Sequence, residues 1–166
     1  MTPTGTTLRQ ATPADRPAIL DTHRAAFGTH GDEIAVLVDA LLDDPTARPL
    51  LSLVAECDGT IVGHVLFTSA WLPSHGTVIA AQILAPLAVR PVHQGRGIGG
   101  ALIETGLRQL AASDVGLVFV LGDPRYYGRF GFTPAKPKGI DAPHTLPPEY
   151  AEASMVKELY EGATGD

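Results

Sequence analysis

The sequence predicts an α/β (α+β) chain built on a mixed, mostly antiparallel central sheet flanked by helices. Three observations predict it. The middle of the chain, Leu51 to Val89, carries β-like runs separated by turn signals, the pattern of a meander. Two segments of helical period precede it. A strand, a Gly-rich turn, a helix and a second strand follow between Leu87 and Leu121, the pattern of one βαβ crossover.

Thr6 to Thr12 reads as the first strand. Thr12-Pro13-Ala14-Asp15 then reads as a helix start, with Thr as N-cap, Pro in the first turn and an acid at the third position. That helix is expected to reach Phe27, and Gly28 to Gly31 breaks it. In the second helix Ile34, Leu37, Val38, Leu41 and Leu42 share one apolar face. Asp43-Asp44-Pro45 ends it.

Leu51 to Cys57, the tight turn Asp58-Gly59, and Thr60 to Ala70 form a predicted hairpin. Pro73 to Gly76 turns the chain, and Thr77 to Val89 continues the sheet. Pro86 has no N–H to give to a ladder, so this strand is expected to splay near Ala85-Pro86. A helix is expected from Ile98 to Ala112, then an apolar strand from Val115 to Leu121. Asp123-Pro124 begins a short helix through Tyr127, with Asp123 as its cap, and Phe130-Gly131-Phe132 ends it. Pro134 to Pro148 reads as an ordered loop and Ser154 to Leu159 as a last strand.

Composition narrows the function. A chain of 166 residues, 45% hydrophobic, fits one globular domain over residues 1–166. No apolar run approaches the roughly 20 residues that span a bilayer, so no membrane partner is expected. Met1 to Thr7 is polar and uncharged and does not read as a signal peptide. A single cysteine, Cys57, excludes an intramolecular disulfide and is compatible with the expected cytoplasmic location. The net charge of −6 argues against nucleic acid as the main partner. The six histidines lack metal-ligand spacing, and no metal is expected.

The most informative stretch is Gln94-Gly95-Arg96-Gly97-Ile98-Gly99-Gly100, where a strand gives way to a helix through four glycines. The first N–H groups of a helix have no internal acceptor, and the helix dipole makes that end electropositive. Glycines let a bulky anion approach the bare backbone, so the turn suits a pyrophosphate. Arg90 and Arg96 add local positive charge. Two other readings stand beside it: a plain tight turn, or the G-x-G-x-x-G of a dinucleotide fold with Asp123 on the ribose. A meander in front and a single crossover behind do not suit the dinucleotide fold.

These residues resemble the signature of the GNAT superfamily of N-acetyltransferases, Gln or Arg-x-x-Gly-x-Gly or Ala, at Gln94, Gly97 and Gly99. A second block, Gly122 to Phe132, resembles the family's short helix and following strand, and Met155 to Leu159 suits a small bacterial subgroup. The resemblance spans about residues 7 to 160. It implies a GNAT-like fold with acetyl-CoA as co-substrate and an amine of a small molecule or peptide as acceptor. Leu87-Ala88-Val89 would pair with pantetheine by strand addition, through the backbone of Leu87 and Val89. The amides from Gln94 to Gly99 would hold the pyrophosphate.

An attacking amine must shed a proton, the thioester oxygen becomes an oxyanion, and the departing thiolate needs a proton. A strand N–H near Leu87 is the candidate oxyanion donor. Tyr127 stands before Gly131 as the family's Tyr stands before its Gly-Phe, and is the candidate acid; the alternative is packing alone. Many relatives carry a Glu base in the strand before the cradle. Here Thr77 to Val89 contains no carboxylate, and Gln82 is its only amide. Glu33 is a candidate base, with a helix N-terminal acid as the competing reading, and a water relay is a third option. His64 and His23 read as core histidines and Cys57 as a core thiol. An Asn often ends the penultimate strand in the family; Gly122-Asp123 takes that place. A non-catalytic acyl-CoA-binding or sensor module and a nucleotide-dependent oxidoreductase are the alternative functions. Exposed sheet edges allow a homodimer. The sequence leaves the acceptor, and the choice of acetyl or a longer acyl group, open.

Overall fold

The structure, a computed structural model, describes residues 5–74, 77–121, 124–134 and 154–159. Its strands hydrogen-bond in the order β1-β2-β3-β4-β5-β7-β6. They are β1 (Thr6–Gln10), β2 (Leu51–Cys57), β3 (Thr60–Ser74), β4 (Thr77–Val89), β5 (Leu117–Leu121), β6 (Thr133–Pro134) and β7 (Ser154–Glu158). The helices are α1 (Arg16–Phe27), α2 (Gly31–Asp43), α3 (Ile98–Ala111) and α4 (Pro124–Tyr127). β4 and β5 are parallel; the pairs β1–β2, β2–β3, β5–β7 and β6–β7 are antiparallel. The mixed, mostly antiparallel sheet is the one expected.

The chain forms two compact units, Met1–Thr68 with Pro86–Gly106, and Ser69–Ala85 with Leu107–Asp166. In the first, the start of α1 follows from its sequence. Asp15 accepts from the Thr12 N–H at 2.7 Å and the Thr12 hydroxyl at 3.2 Å, and a 3₁₀ turn over Pro13–Asp15 leads into the helix. Ile19, Val38, Val54 and Ile61 form a buried cluster, with Ala18, Leu20, Ile34 and Leu42 packed against it.

One predicted member of the α2 face is corrected: Leu37 is 45% exposed. Ala35, not counted in that face, is buried. At about 100° per residue, Ile34, Ala35, Val38 and Leu42 centre the stripe so that Leu37 falls off its edge. The Asp58-Gly59 turn is as predicted. Both residues have positive φ, 50° and 82°, the pair of left-handed residues a two-residue hairpin of this hand requires.

In the second unit Ala81, Ile83, Leu117, Phe119 and Val156 form the buried cluster. β4 pairs with β5 from Ala81 to Leu84. The pairing stops short of Pro86, where the splay was expected. β5 starts at Leu117, later than Val115, and β6 was not foreseen. Two residues cannot show a period, so β6 is visible only through its pairing to Met155 and Val156. The His75-Gly76 part of the expected turn, the Asp123 cap and the Pro-rich loop after Pro134 lie outside the described residues. Among the described residues no helix is long and apolar enough to cross a membrane.

Candidate cofactor and active site

β4 delivers the chain to the Gly-rich turn with its backbone anchored on one side. The Arg90 N–H donates to the Val62 carbonyl at 2.8 Å, and Arg90 Nε donates to the Ile61 carbonyl at 3.1 Å. Ala88 is buried, and Leu87 and Val89 are half-buried on the alternate face. A 3₁₀ turn over Pro91–His93 follows.

Gly95 and Gly97 both have positive φ, 77° and 84°, and so let the backbone reverse where a side chain would be strained. A Cβ on Gly95 would meet nothing within 4 Å, so the space above the turn is open. α3 begins at Ile98, which is 1% exposed, and the Ala101 N–H makes the first bond of the helix, to the Gly97 carbonyl at 3.0 Å. The N–H groups of Ile98, Gly99 and Gly100 precede that bond and have no acceptor four residues back in the helix. Bare donors, an open face and an electropositive helix end fit a diphosphate.

Gln94 Nε2 donates to the Val89 carbonyl at 2.9 Å and ties the turn to the strand end. Arg96 stands exposed beside the turn. Arg90, half-buried, spends its Nε on β3.

Tyr127 lies in the second unit, at the end of α4. Its ring meets Tyr126 edge-on at 5.0 Å and Phe132 at 5.9 Å, and Phe132 is 2% exposed. Burial, aided by the neighbouring Tyr126, pushes the Tyr127 phenol up to about 12. It is therefore a neutral O–H donor across the physiological range. Lys157 fixes the turn after it: Nζ donates to the Phe130 carbonyl at 2.9 Å.

A scan of protein families matches residues 7–135 to the acetyltransferase (GNAT) domain. The chain belongs to the GNAT acetyltransferase family. An uncharacterized N-acetyltransferase of Escherichia coli K12, YjhQ, is 44% identical over 147 residues, covering 88% of this chain and 80% of that protein. The GNAT protein YhbS of E. coli, crystallised with CoA, superposes with a TM-score of 0.81 at 30% identity, covering 99% of this chain and 88% of that one. A GNAT acetyltransferase from Brucella melitensis, crystallised with acetyl-CoA, gives 0.69 at 37% identity, covering 77% and 82%.

Within this GNAT chain, Leu87 to Gly100 form one continuous segment of the first unit. Glu33 is in that unit too, but its side chain is 80% exposed at the start of α2, with His30 Nδ1 3.9 Å away. That is the setting of a helix N-terminal acid. Gln82 is buried on β4. Cys57, expected in the core, is half-buried, with Sγ 4.0 Å from the Asp58 carboxylate; the strand ends at Cys57, so its side chain reaches the turn. His64 is a satisfied core histidine, bonded at both ring nitrogens to His23 and Ser52. His23 is equally buried, but among the described residues its Nδ1 has no partner. Sequence reasoning missed Gly63, Gly106 and Lys157. Nothing local marks them, because each matters through a residue distant in the chain.

Proposed function

We propose that this GNAT chain transfers the acetyl group of acetyl-CoA to the amine of a small molecule or peptide by direct attack. The observation that carries the proposal is the open turn from Gln94 to Gly100, with glycines of positive φ leading into first-turn α3 amides that have no acceptor within the helix. Similar proteins crystallised with CoA and with acetyl-CoA support it. The family match runs across both units, which supports reading them as one catalytic domain.

Acetyl-CoA supplies the activated acetyl group when bound. The amides of Gln94 to Gly100 hold its diphosphate. Leu87, Ala88 and Val89 offer a strand edge to the pantetheine arm, with a backbone N–H near Leu87 for the oxyanion. Tyr127 gives its proton to the sulfur as the new C–N bond forms and the C–S bond breaks. β4 has no carboxylate, and Glu33 is solvent-exposed. The amine's proton therefore leaves through water, with Glu33 as the testable side-chain route. The same lack favours, as a second reading, an acyl-CoA-binding module without turnover.

Thermal melting with acetyl-CoA and with NADPH separates the cofactor classes, because a ligand at about 100 times its Kd adds about 2.7 kcal/mol to stability. Acetyl-CoA alone should raise the midpoint. CoA release against a panel of amines then separates enzyme from sensor. Tight acetyl-CoA binding with no release for any amine class would favour the sensor.

A further inference from the structure

α3 carries the proposed diphosphate cradle at its first turn, so whatever seats α3 on the sheet sets where the cradle lies. The seat is built by alternation of size. On β3, Gly63 has no side chain. A Cβ there would stand 3.1 Å from Leu102 Cδ1, 3.2 Å from Ile98 Cγ2 and 3.4 Å from the Ala88 carbonyl. Further along the same face of β3, Phe67 is fully buried, and the helix answers it with Gly106: a Cβ on Gly106 would overlap the Phe67 ring. Bulky Ile98 and Leu102 sit over the small strand residue, and the small helix residue sits over the bulky ring. Ile98, Leu102 and Gly106 recur at intervals of four, one stripe of α3. A mid-helix glycine is unfavourable for the helix itself, so Gly106 is explained by this approach and not by local propensity.

We infer that Gly106 and Gly63 are positioning residues for cofactor binding: together they fix the height and axial placement of α3, and so aim the amides of Ile98 to Gly100. The inference rests on the cradle reading above. Neither glycine belongs to the cradle. Interiors are packed too densely to absorb a methyl group beneath a helix without moving it, and small displacements at a binding site carry large penalties.

The test measures binding, so it does not require the acceptor. Gly106→Ala should weaken acetyl-CoA at least about tenfold while leaving S-acetylpantetheine, which lacks the diphosphate, within about twofold. A loss of folded protein alone would weaken both ligands equally. Adding Phe67→Leu to Gly106→Ala makes room for the methyl group and should recover most of the acetyl-CoA affinity. Gly63→Ala, whose contacts are less severe, should lose about threefold, and it carries the test if Gly106→Ala does not fold. Folded variants that bind acetyl-CoA as the wild type does, or that lose both ligands in parallel, overturn the inference. Gly97→Val is the control on the cradle: if it leaves acetyl-CoA affinity intact, the cradle reading itself has failed. If it abolishes binding while Gly106→Ala and Gly63→Ala do nothing, only the seat has failed.

Discussion

His23 Nε2 lies 2.8 Å from His64 Nδ1, and neither ring is exposed to solvent. Only one of the two nitrogens can carry the shared proton when both rings are neutral. His64 Nε2 continues the chain to Ser52 Oγ at 2.8 Å. His23 Nδ1 ends it without a partner among the described residues, and the His23 ring stacks on Phe27 at 6.0 Å. An orphaned buried acceptor is better tolerated than an orphaned N–H. That favours His23 donating from Nε2 to His64, and His64 donating from Nε2 to Ser52.

This pair predicts acid sensitivity. Burial lowers His23 to about 4 and His64 to about 3, with His23 adding to the shift of His64. Both folded values lie below the ordinary 6.5, so the unfolded chain takes up protons first as pH falls. The stability is fully present above pH 6.5 and declines as pH falls below it, the His23 share ending near 4 and the His64 share near 3. Urea midpoints measured at half-unit steps should fall through that window. In His23→Phe/His64→Leu the slope there should flatten. A wild-type curve level from pH 7 to 5 would show that the rings are not held neutral.

Tyr127→Phe removes only the phenolic oxygen and keeps the ring that meets Phe132. If the phenol protonates the leaving sulfur, turnover should fall by about 10² or more, in the range of acid–base contributions. Acetyl-CoA affinity should change less than threefold. The wild-type enzyme should also keep its donor to high pH, because the phenol is raised to about 12. Unchanged turnover in the variant would reduce Tyr127 to a packing residue.

What the sequence made legible depends on whether the controlling residues are neighbours in the chain. The Asp58-Gly59 hairpin, the Thr12–Asp15 helix start and the turn from Gln94 to Gly100 each rest on a few consecutive residues with special backbone demands, and all are readable. The pairing of His23 with His64, of Phe67 with Gly106 and of Lys157 with Phe130 joins distant segments. No period or motif announces such contacts. Gly106 in particular reads as an ordinary weak point of a helix unless the ring beneath it is known.

Gly131 is the point where α4 and its 3₁₀ extension turn back, with φ at 91°. The space its Cβ would take is filled by the Lys157 ammonium. Gly131→Ala therefore strains the backbone and displaces the donor to Phe130. A cost of about 1–3 kcal/mol is expected for the conformation alone, read from urea unfolding. Lys157→Met should cost about 1–2 kcal/mol through the lost charged hydrogen bond. The two losses should be less than additive, because either change breaks the same contact; full additivity would mean that Lys157 and Gly131 act separately.

Arg9 joins β1, the start of α1 and β2. Its guanidinium grips Asp15 with two bonds, at 2.7 and 3.0 Å, and reaches Glu56 Oε1 at 2.8 Å. Arg9 foremost, opposed by burial and helped by Thr12, holds the Asp15 carboxyl well below the usual carboxylate range. A lowered carboxylate stabilises the fold above its ordinary pKa of 3.8, and that contribution is lost progressively as pH falls below it. Arg9→Met should cost about 1–2 kcal/mol at pH 7, a figure kept low because solvent screens the partly exposed guanidinium. The difference from wild type should stay constant between pH 7 and 5, where the histidine pair acts on both proteins alike, and should shrink towards pH 3. If the gap instead tracked the fall between 6.5 and 4, the acid sensitivity assigned to His23 and His64 would belong to the Arg9 network.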